Sequence, residues 1–194
     1  MHLWIAKATL ILDIVAVVAI RAPYGRRSSQ LKIIKSKRGR LEIVLLSAMW
    51  LGSVILPILW VSTPLFSFAD YPLHPAQYGA GVVLFSLGLW LFHRSHVDLS
   101  TNWSVSLEIR ENHTLITSGV YRRVRHPMYS AILLQAVGQA LVAPNWIVGA
   151  FYLCAFILMY SFRVGPEEQM MLQQFGDRYE NYMRESQRLI PGIW

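Results

Sequence analysis

Long runs without charge alternate with short polar segments along the chain. No Asp, Glu, Lys or Arg occurs in residues 43–69, 71–93 or 127–162. A helix that crosses the roughly 30 Å hydrocarbon core of a bilayer needs about 20 apolar residues, at about 1.5 Å of rise per residue. The first two runs therefore predict one membrane-spanning helix each, over residues 41–61 and 76–92.

The third run is too long for a single crossing. As one helix, residues 127–162 would reach about 54 Å, well beyond the thickness of the hydrocarbon core. Pro144-Asn145 lies near the middle of this run, and proline interrupts a helix because it has no N–H to donate. We expect a helical hairpin with legs over residues 129–142 and 146–162.

Residues 3–20 predict a further span, which makes five. We expect a span rather than a signal peptide, because no basic residue precedes the apolar run and no small-residue cleavage site follows it. Asp13 lies near the middle of this span. An ionisable group inside a membrane is costly and often functional, but no motif reaches Asp13, and a buried polar contact between helices is the expectation.

The composition agrees with an integral membrane protein. Hydrophobic residues make up 54% of the 194 residues and charged residues only 15%, against about 25% charged in typical globular domains. These values exclude a disordered chain and an ordinary soluble enzyme. We predict one domain over residues 1–194, with three N-terminal spans in residues 1–93 and the polar motifs in residues 94–194.

The basic residues predict the orientation. Of the 18 Lys and Arg residues, eight lie in residues 21–40, and none lies in residues 62–75 or in the hairpin turn. Basic loops remain in the cytoplasm, so we expect the N-terminus outside and the C-terminus inside, in the cell membrane of a prokaryote or the endoplasmic reticulum of a eukaryote. The loop over residues 21–40 either binds anionic lipid headgroups or acts only as a topology determinant. The net charge of +7 is thus assigned to membrane lipids, not to nucleic acid.

The polar segment after residue 162 predicts an amphipathic helix. Gly165-Pro166 is expected to break the chain between the last span and this helix, because proline suits a first helical turn that is followed by acids. The apolar residues recur at spacings of three and four, namely Met170, Leu172, Phe175, Tyr179 and Tyr182. The pattern alone indicates a helix at the membrane interface.

A second polar segment precedes the hairpin and contains Gly119-Val120-Tyr121 and Arg125-His126-Pro127-Met128-Tyr129. Together with the downstream Arg163, Glu167-Glu168 and Phe175-Gly176-x-x-Tyr179-x-x-Tyr182, this segment closely resembles the isoprenylcysteine carboxyl methyltransferases. The resemblance covers residues 102–191. It implies an all-α integral membrane enzyme with a cytoplasmic cofactor-binding loop, S-adenosylmethionine as methyl donor, and a lipophilic, isoprenylcysteine-like carboxylate as acceptor.

The resemblance also implies residue roles. Arg163 is expected to be catalytic and to bind the acceptor carboxylate, which a planar guanidinium can hold through two parallel hydrogen bonds. Glu167 is expected to be catalytic through its contact with the cofactor, and it shares a face with Arg163 if the helix is continuous. The cofactor-binding positions are His113, Thr114, Leu115, Ile116, Tyr121, His126, Pro127, Met128, Tyr129 and Glu167.

Each role has a structural alternative. His126 is also typical of a helix-capping or hydrogen-bonding residue, and Arg163 of a side chain that extends to the membrane interface. Glu168 is expected to be a solvated acid of the first helical turn. His93 and His96 have metal-pair spacing but no convincing third ligand, so no metal is expected. Gly79-Ala80-Gly81 is expected to pack helices together, because it lacks the context of a dinucleotide-binding turn.

The proposed chemistry does not require a general base. An acceptor carboxylate with a pKa near ~3.5 is already ionised at pH 7, so the protein has only to position the reactants and exclude water. Two other functions remain open. A phospholipid N-methyltransferase would keep the cofactor site without needing Arg163, and an anionic-lipid-binding membrane protein would use only the basic loop. Nothing in the sequence indicates an oligomeric state.

Overall fold

The computed structural model describes residues 2–30, 33–36, 39–100, 108–110 and 114–192. Within these residues the chain forms seven α-helices, and a single π-helical segment, Leu51–Ile55, joins the second helix to the third. The helices are α1 (Leu3–Ser29), α2 (Arg40–Trp50), α3 (Leu56–Ser62), α4 (Pro75–Leu99), α5 (Pro127–Val142), α6 (Trp146–Phe175) and α7 (Asp177–Glu185).

Four helical segments are long and apolar enough to cross a membrane. They are Leu3–Arg27, Arg40–Ser62, Pro75–Leu99 and Trp146–Phe175. The first leg of the hairpin, α5, has 16 residues and would span only about 24 Å. The all-α membrane architecture is confirmed, whereas the fifth crossing, which rests on α5, and the orientation stay predictions.

Two short strands accompany the helices and were not predicted from the sequence. Strand β1 (Ile33–Ser36) pairs with β2 (Glu108–Arg110) in antiparallel orientation, with Ser36 opposite Glu108. The pair brings the segment after α1 next to the segment after α4.

Small residues set the close packing of α4 against α5. A Cβ atom added to Gly81 would lie 2.6 Å from Cγ2 of Val142 and 3.1 Å from the carbonyl oxygen of Gly138, so only glycine fits there. Gly79 has open space around it. The packing role predicted for the glycine pair is therefore confirmed for Gly81 and wrong for Gly79.

The hairpin between α5 and α6 is confirmed, and Asn145 fixes its turn. The Asn145 side-chain oxygen accepts hydrogen bonds from the N–H groups of Ile147 and Val148, which satisfies two donors at the start of α6. The Asn145 amide nitrogen donates to the Asp70 carboxylate at 2.7 Å. The same carboxylate oxygen accepts a hydrogen bond from the Trp60 indole at 2.8 Å, so this turn is connected through Asp70 to α3.

The predicted break at Gly165-Pro166 is wrong. Helix α6 continues through Pro166 to Phe175, although a proline inside a helix costs about 3 kcal/mol or more. Charged residues on both sides of Pro166 bind to neighbouring segments, and these contacts hold the helix together. The break occurs instead at Gly176, whose φ of +54° is the left-handed conformation that favours glycine.

The single amphipathic helix predicted after the break is therefore also wrong. Met170, Leu172 and Phe175 belong to the end of α6, whereas Tyr179 and Tyr182 lie on α7. In the same way α1 extends to Ser29. Arg21, Arg26 and Arg27 thus lie on a helix and not in the predicted loop.

Candidate functional site

The second half of α6 carries three charged residues that are turned toward the rest of the bundle. Arg163 is 9% exposed and Glu168 is 4% exposed. Because α6 is continuous, Arg163 and Glu167 share one face, and Nε of Arg163 lies 3.8 Å from Oε2 of Glu167. The same-face prediction is confirmed.

The start of α5 supplies two aromatic partners for Glu167. The Tyr129 hydroxyl donates a hydrogen bond to Oε2 of Glu167 at 2.5 Å, and Nδ1 of His126 lies 3.6 Å from Oε1. The rings of His126 and Tyr129 stack at a centroid distance of 5.4 Å. Four residues selected from the sequence motifs, namely His126, Tyr129, Arg163 and Glu167, are thus brought together although 37 positions separate the first from Arg163.

The His126 side chain binds carboxylates and does not cap α5. His126 occupies the N-cap position, but its side chain makes no capping hydrogen bond, so the capping interpretation is wrong. The hydrogen-bonding interpretation is confirmed by the contact of Nε2 with the Glu168 carboxylate at 3.4 Å. Burial opposes the imidazolium form, yet contacts with Glu167 and Glu168 raise the pKa of His126 above its ordinary value. The charged imidazolium is therefore favoured between the two carboxylates.

Glu168 is the centre of a buried ion-pair network. Its carboxylate accepts hydrogen bonds from Arg125 at 3.1 Å and from Arg188 at 2.7 Å, and Nε2 of His126 lies 3.4 Å away. The hydrogen bond with Glu168 raises the pKa of the Arg188 guanidinium. The expectation of a solvated acid is wrong.

The segment over residues 186–189 fastens the motif that precedes α5. The backbone N–H of Arg125 donates to the carbonyl of Gln187 at 2.7 Å, and that of His126 donates to the carbonyl of Arg188 at 3.0 Å. The Arg125 guanidinium also donates to the carbonyls of Met183 and Ser186. The chain after α7 thereby holds His126 in place against Glu167 and Glu168 of α6.

Sequence reasoning missed Arg125 and Arg188 as members of the site. Arg125 is part of the motif quoted from the sequence, so its position carried a signal. Arg188 carried none, because its contact with Glu168 joins residues 20 positions apart across the turn at Gly176. Glu42 on α2 was missed for the same reason, and its Oε1 lies 3.7 Å from Nη1 of Arg163.

Tyr121 lies in a short 3₁₀ turn, Gly119–Arg122, next to this network. The carbonyl of Tyr121 accepts a hydrogen bond from the Tyr182 hydroxyl at 2.5 Å. Burial raises the pKa of Tyr121 above its ordinary value, so its hydroxyl stays protonated. The Asp98 carboxylate at the end of α4 accepts from the N–H of Val120 at 2.9 Å and fixes the turn.

The remaining cofactor-binding positions differ in their placement. Pro127 is fully buried in the first turn of α5. Thr114 is exposed, while Leu115 and Ile116 are half-buried in the extended segment before the 3₁₀ turn. His113 lies outside the described residues. The binding roles of these residues stay predictions.

A cavity of about 480 Å³ lies between α1, α2, α5 and α6. Arg163, Tyr129 and Met128 contribute to its wall, so one wall of the cavity is shared with the charged cluster. Most other lining residues are apolar, including Val17, Leu46, Met49, Trp50, Ile132 and Met159. The space can take a lipophilic molecule with a negatively charged end.

A family model described as "Phospholipid methyltransferase" matches residues 76–178, which is just over half of the chain. The matched part contains α4, the motif before α5, the hairpin and the charged part of α6. The segment that carries Arg188 and the first three helices lie outside it.

The curated relatives are named for one activity. A protein-S-isoprenylcysteine O-methyltransferase of Schizosaccharomyces pombe is 29% identical over 55% of this chain and 46% of its own length. Protein-S-isoprenylcysteine O-methyltransferase B of Arabidopsis thaliana is 30% identical over 58% of this chain and 57% of its own length. The chain thus spans about half the length of the curated relatives it matches.

A solved structure shares the fold. It is the eukaryotic intramembrane Ras methyltransferase, an isoprenylcysteine carboxyl methyltransferase, which aligns over 82% of this chain and 55% of its own with a TM-score of 0.55 and 22% identity. The alignment covers more of this chain than the matches to curated relatives do, so at least part of the N-terminal region agrees in fold although its sequence offered no motif. The chain belongs to the phospholipid methyltransferase family, and the relatives that it matches are isoprenylcysteine carboxyl methyltransferases, as its sequence motifs predict.

Proposed function

We propose that this protein is an S-adenosylmethionine-dependent carboxyl O-methyltransferase that acts on a lipophilic, isoprenylcysteine-like carboxylate at the membrane interface. One observation carries the proposal. Arg163 lines the apolar cavity and also lies 3.8 Å from Glu167. A cation suited to the acceptor carboxylate and an anion suited to a sulfonium therefore occupy successive turns of one helix.

The acceptor is bound by the cavity and by Arg163. The apolar wall takes the lipid chain, and the buried guanidinium takes the carboxylate. Inside a low-dielectric site this attraction is stronger than in water, and the planar guanidinium fixes the direction from which a carboxylate oxygen attacks. Because the carboxylate is already ionised, no side chain has to remove a proton. Positioning of this kind can contribute roughly 7–11 kcal/mol.

The residues beside the cavity fit a cationic cofactor. The Glu167 carboxylate accepts a hydrogen bond from the Tyr129 hydroxyl at 2.5 Å and lies beside Arg163 on the same face of α6. When bound, S-adenosylmethionine supplies a methyl group attached to a positively charged sulfur. The cofactor would be held by Glu167, His126, Tyr129 and Tyr121. The resemblance also implies cofactor-binding roles for residues 113–116. Glu167 would favour the charged cofactor over its neutral product.

The name of the family model favours a second candidate, a phospholipid N-methyltransferase. Such an enzyme methylates an amine and has no carboxylate for Arg163 to bind. A buried guanidinium in the cavity would also repel a protonated amine. The positive charge of Arg163 in the cavity therefore favours a carboxylate acceptor over an amine acceptor.

The nature of the methyl product tests the proposal. Purified protein in detergent is given a labelled methyl donor with one of three acceptors: a prenylcysteine, its carboxamide, or phosphatidylethanolamine. We expect label only with the free carboxylate, and alkali should release it as methanol because methyl esters hydrolyse. Alkali-stable label on phosphatidylethanolamine would establish the N-methyltransferase instead.

The membrane orientation belongs to the same proposal. The distribution of basic residues supports an N-terminus outside and a C-terminus in the cytoplasm. The charged cluster of α6 then lies toward the cytoplasmic side, where a water-soluble cofactor is available. The lipid acceptor would enter from the bilayer.

A further inference from the structure

A polar pair lies inside the cavity, away from the charged cluster. Asp13 on α1 and Gln135 on α5 both line the cavity wall, and Gln135 is 4% exposed. The hydrogen-bonding partners assign the Gln135 amide with its nitrogen toward α1: it then donates to Oδ2 and Oδ1 of Asp13 at 2.9 and 3.0 Å, and its oxygen accepts from the N–H of Leu89 at 3.1 Å. Gln139 and Tyr152 also line the cavity, and most of the other lining residues are apolar.

The distance of this pair from the Arg163 end of the cavity can be estimated along two helices. On α1, Asp13 is eight residues from Arg21, which also lines the cavity, so the two lie about 12 Å apart along the helix axis. On α5, Gln135 is six residues from Tyr129, which is about 9 Å. Arg21 and Tyr129 both lie at the end of the cavity near Arg163. The polar pair is thus about 9–12 Å from the place proposed for the acceptor carboxylate.

The pair has capacity for a further ligand. A carboxylate offers about four lone-pair sites, and Gln135 approaches each Asp13 oxygen once. A contact that only joined α1 to α5 would be closed off from the cavity, whereas both of these side chains contribute to its wall. A carboxylate that a purely apolar ligand covered would lose solvation without gaining a partner.

We propose that Asp13 and Gln135 form a second binding site within the cavity, for a hydrogen-bond donor carried on the lipophilic chain of the acceptor about 9–12 Å from its carboxylate. The donor is a hydroxyl or an amine. This inference rests on the proposed function, which supplies the carboxylate end. It makes the acceptor a functionalised lipid, because a site built to accept a hydrogen bond discriminates against an analogue that lacks the donor.

The test compares acceptors that differ at one position. Three prenylcysteine-type carboxylates of equal length carry hydrogen, a hydroxyl or an amine about 9–12 Å from the carboxylate. Both the dissociation constant and the rate of methyl ester formation are measured with the full-length protein in detergent. We expect kcat/KM for a donor-bearing acceptor to exceed that for the plain chain by at least about tenfold, which corresponds to about 1.4 kcal/mol.

Substitutions assign that preference to Asp13. Asp13→Ala should abolish the preference for either donor. Asp13→Asn should keep the preference for the hydroxyl, which its amide oxygen can accept, and lose most of that for a charged amine. Val17→Ala is the matched control, because Val17 lines the cavity from the same helix. It should change the activity on all three acceptors by the same factor.

The outcomes separate this inference from the proposed function. Equal kcat/KM on all three acceptors, or an Asp13→Ala variant that loses stability and slows on all of them equally, would reduce the pair to a contact between helices while carboxyl methylation stands. A binding preference without any methyl ester would overturn the proposed function and leave the polar site. Absence of binding by all three acceptors would overturn both.

Discussion

Arg163→Lys tests whether the guanidinium positions the acceptor. Arg163 is 9% exposed, and its charged neighbours are Glu42 at 3.7 Å and Glu167 at 3.8 Å. Lysine keeps the positive charge between these two carboxylates. It replaces the planar guanidinium, which donates two parallel hydrogen bonds, by a single flexible ammonium group. A hydrogen bond to a charged group contributes about 1.5–3 kcal/mol, so loss of one such bond in the transition state should lower kcat/KM about 10- to 150-fold.

Three measurements separate this effect from a structural one. Methyl ester formation is measured at saturating cofactor, the dissociation constant of S-adenosylmethionine by calorimetry, and thermal stability by unfolding in detergent. We expect Arg163→Lys to lose turnover while cofactor affinity and stability stay close to wild type. Arg163→Ala should also lose stability, because breaking a buried ion pair costs about 3–5 kcal/mol.

An exposed ion pair supplies the matched control. Arg184 pairs with Glu180 on α7 at 2.7 Å, and the Arg184 side chain is 71% exposed. Arg184→Lys should therefore leave all three measurements unchanged. Full turnover by Arg163→Lys would show that Arg163 merely anchors α6 at the membrane interface, and the acceptor-binding role would be wrong.

Four further results are expected. Glu167→Gln should weaken binding of the sulfonium cofactor more than that of its neutral product, which calorimetry with both ligands measures; an equal loss would contradict a charge effect. Glu168→Ala should lower the free energy of unfolding by about 3–5 kcal/mol, because it leaves the buried Arg125 guanidinium without its carboxylate, and denaturant unfolding measures this. Since the pKa of His126 is raised in the folded protein, its stabilising effect should be complete below the unfolded-state pKa near ~6.5 and disappear as pH rises through the folded-state value; unfolding of His126→Asn against pH should lack that loss. Gln30→Cys in a Cys154→Ser background should react with a membrane-impermeant thiol reagent only from the cytoplasmic side, and labelling from outside would reverse the orientation.

The membrane architecture could be predicted because it depends on a local property. Whether a segment spans a bilayer follows from its length and the absence of charge, and both can be counted along the chain. The turn at Pro144-Asn145 could be predicted in the same way, since proline removes a hydrogen-bond donor from a helix. These features need no knowledge of what packs against them.

The end of α6 could not be predicted, because tertiary contacts decide it. Gly165-Pro166 has the local signature of a helix boundary, and Gly176 carries a weaker one. Contacts of Arg163, Glu167 and Glu168 on the two sides of Pro166 outweigh the local preference. The partners of these side chains come from α2, from α5 and from the segment after α7, so no window of the sequence contains them.

Glu168 shows the same limit at a single residue. An acid two residues after a proline, near the start of an expected helix, is typically solvated, and the sequence offers no reason to bury it. Its burial depends on Arg188, which donates to the Glu168 carboxylate. Arg188 comes close to α6 because the chain turns at Gly176 and the segment after α7 is hydrogen-bonded to the backbone of Arg125. The site motif identified the residues that meet at α5, whereas the residues that support them could be found only from the fold.

The continuity of α6 bears directly on the proposed chemistry. Arg163 and Glu167 are four residues apart, so an unbroken helix fixes them about 6 Å apart along its axis. A break at Pro166 would let Arg163, the group proposed to bind the acceptor, move independently of Glu167, the group proposed to lie beside the cofactor. Transfer of a methyl group requires the attacking oxygen, the carbon and the sulfur to be in line, and a misplacement of about 1 Å can cost about a hundredfold in rate. Both charges lie on one rigid helix that Glu168 supports. The protein would therefore align the acceptor carboxylate and the methyl donor before the methyl group is transferred.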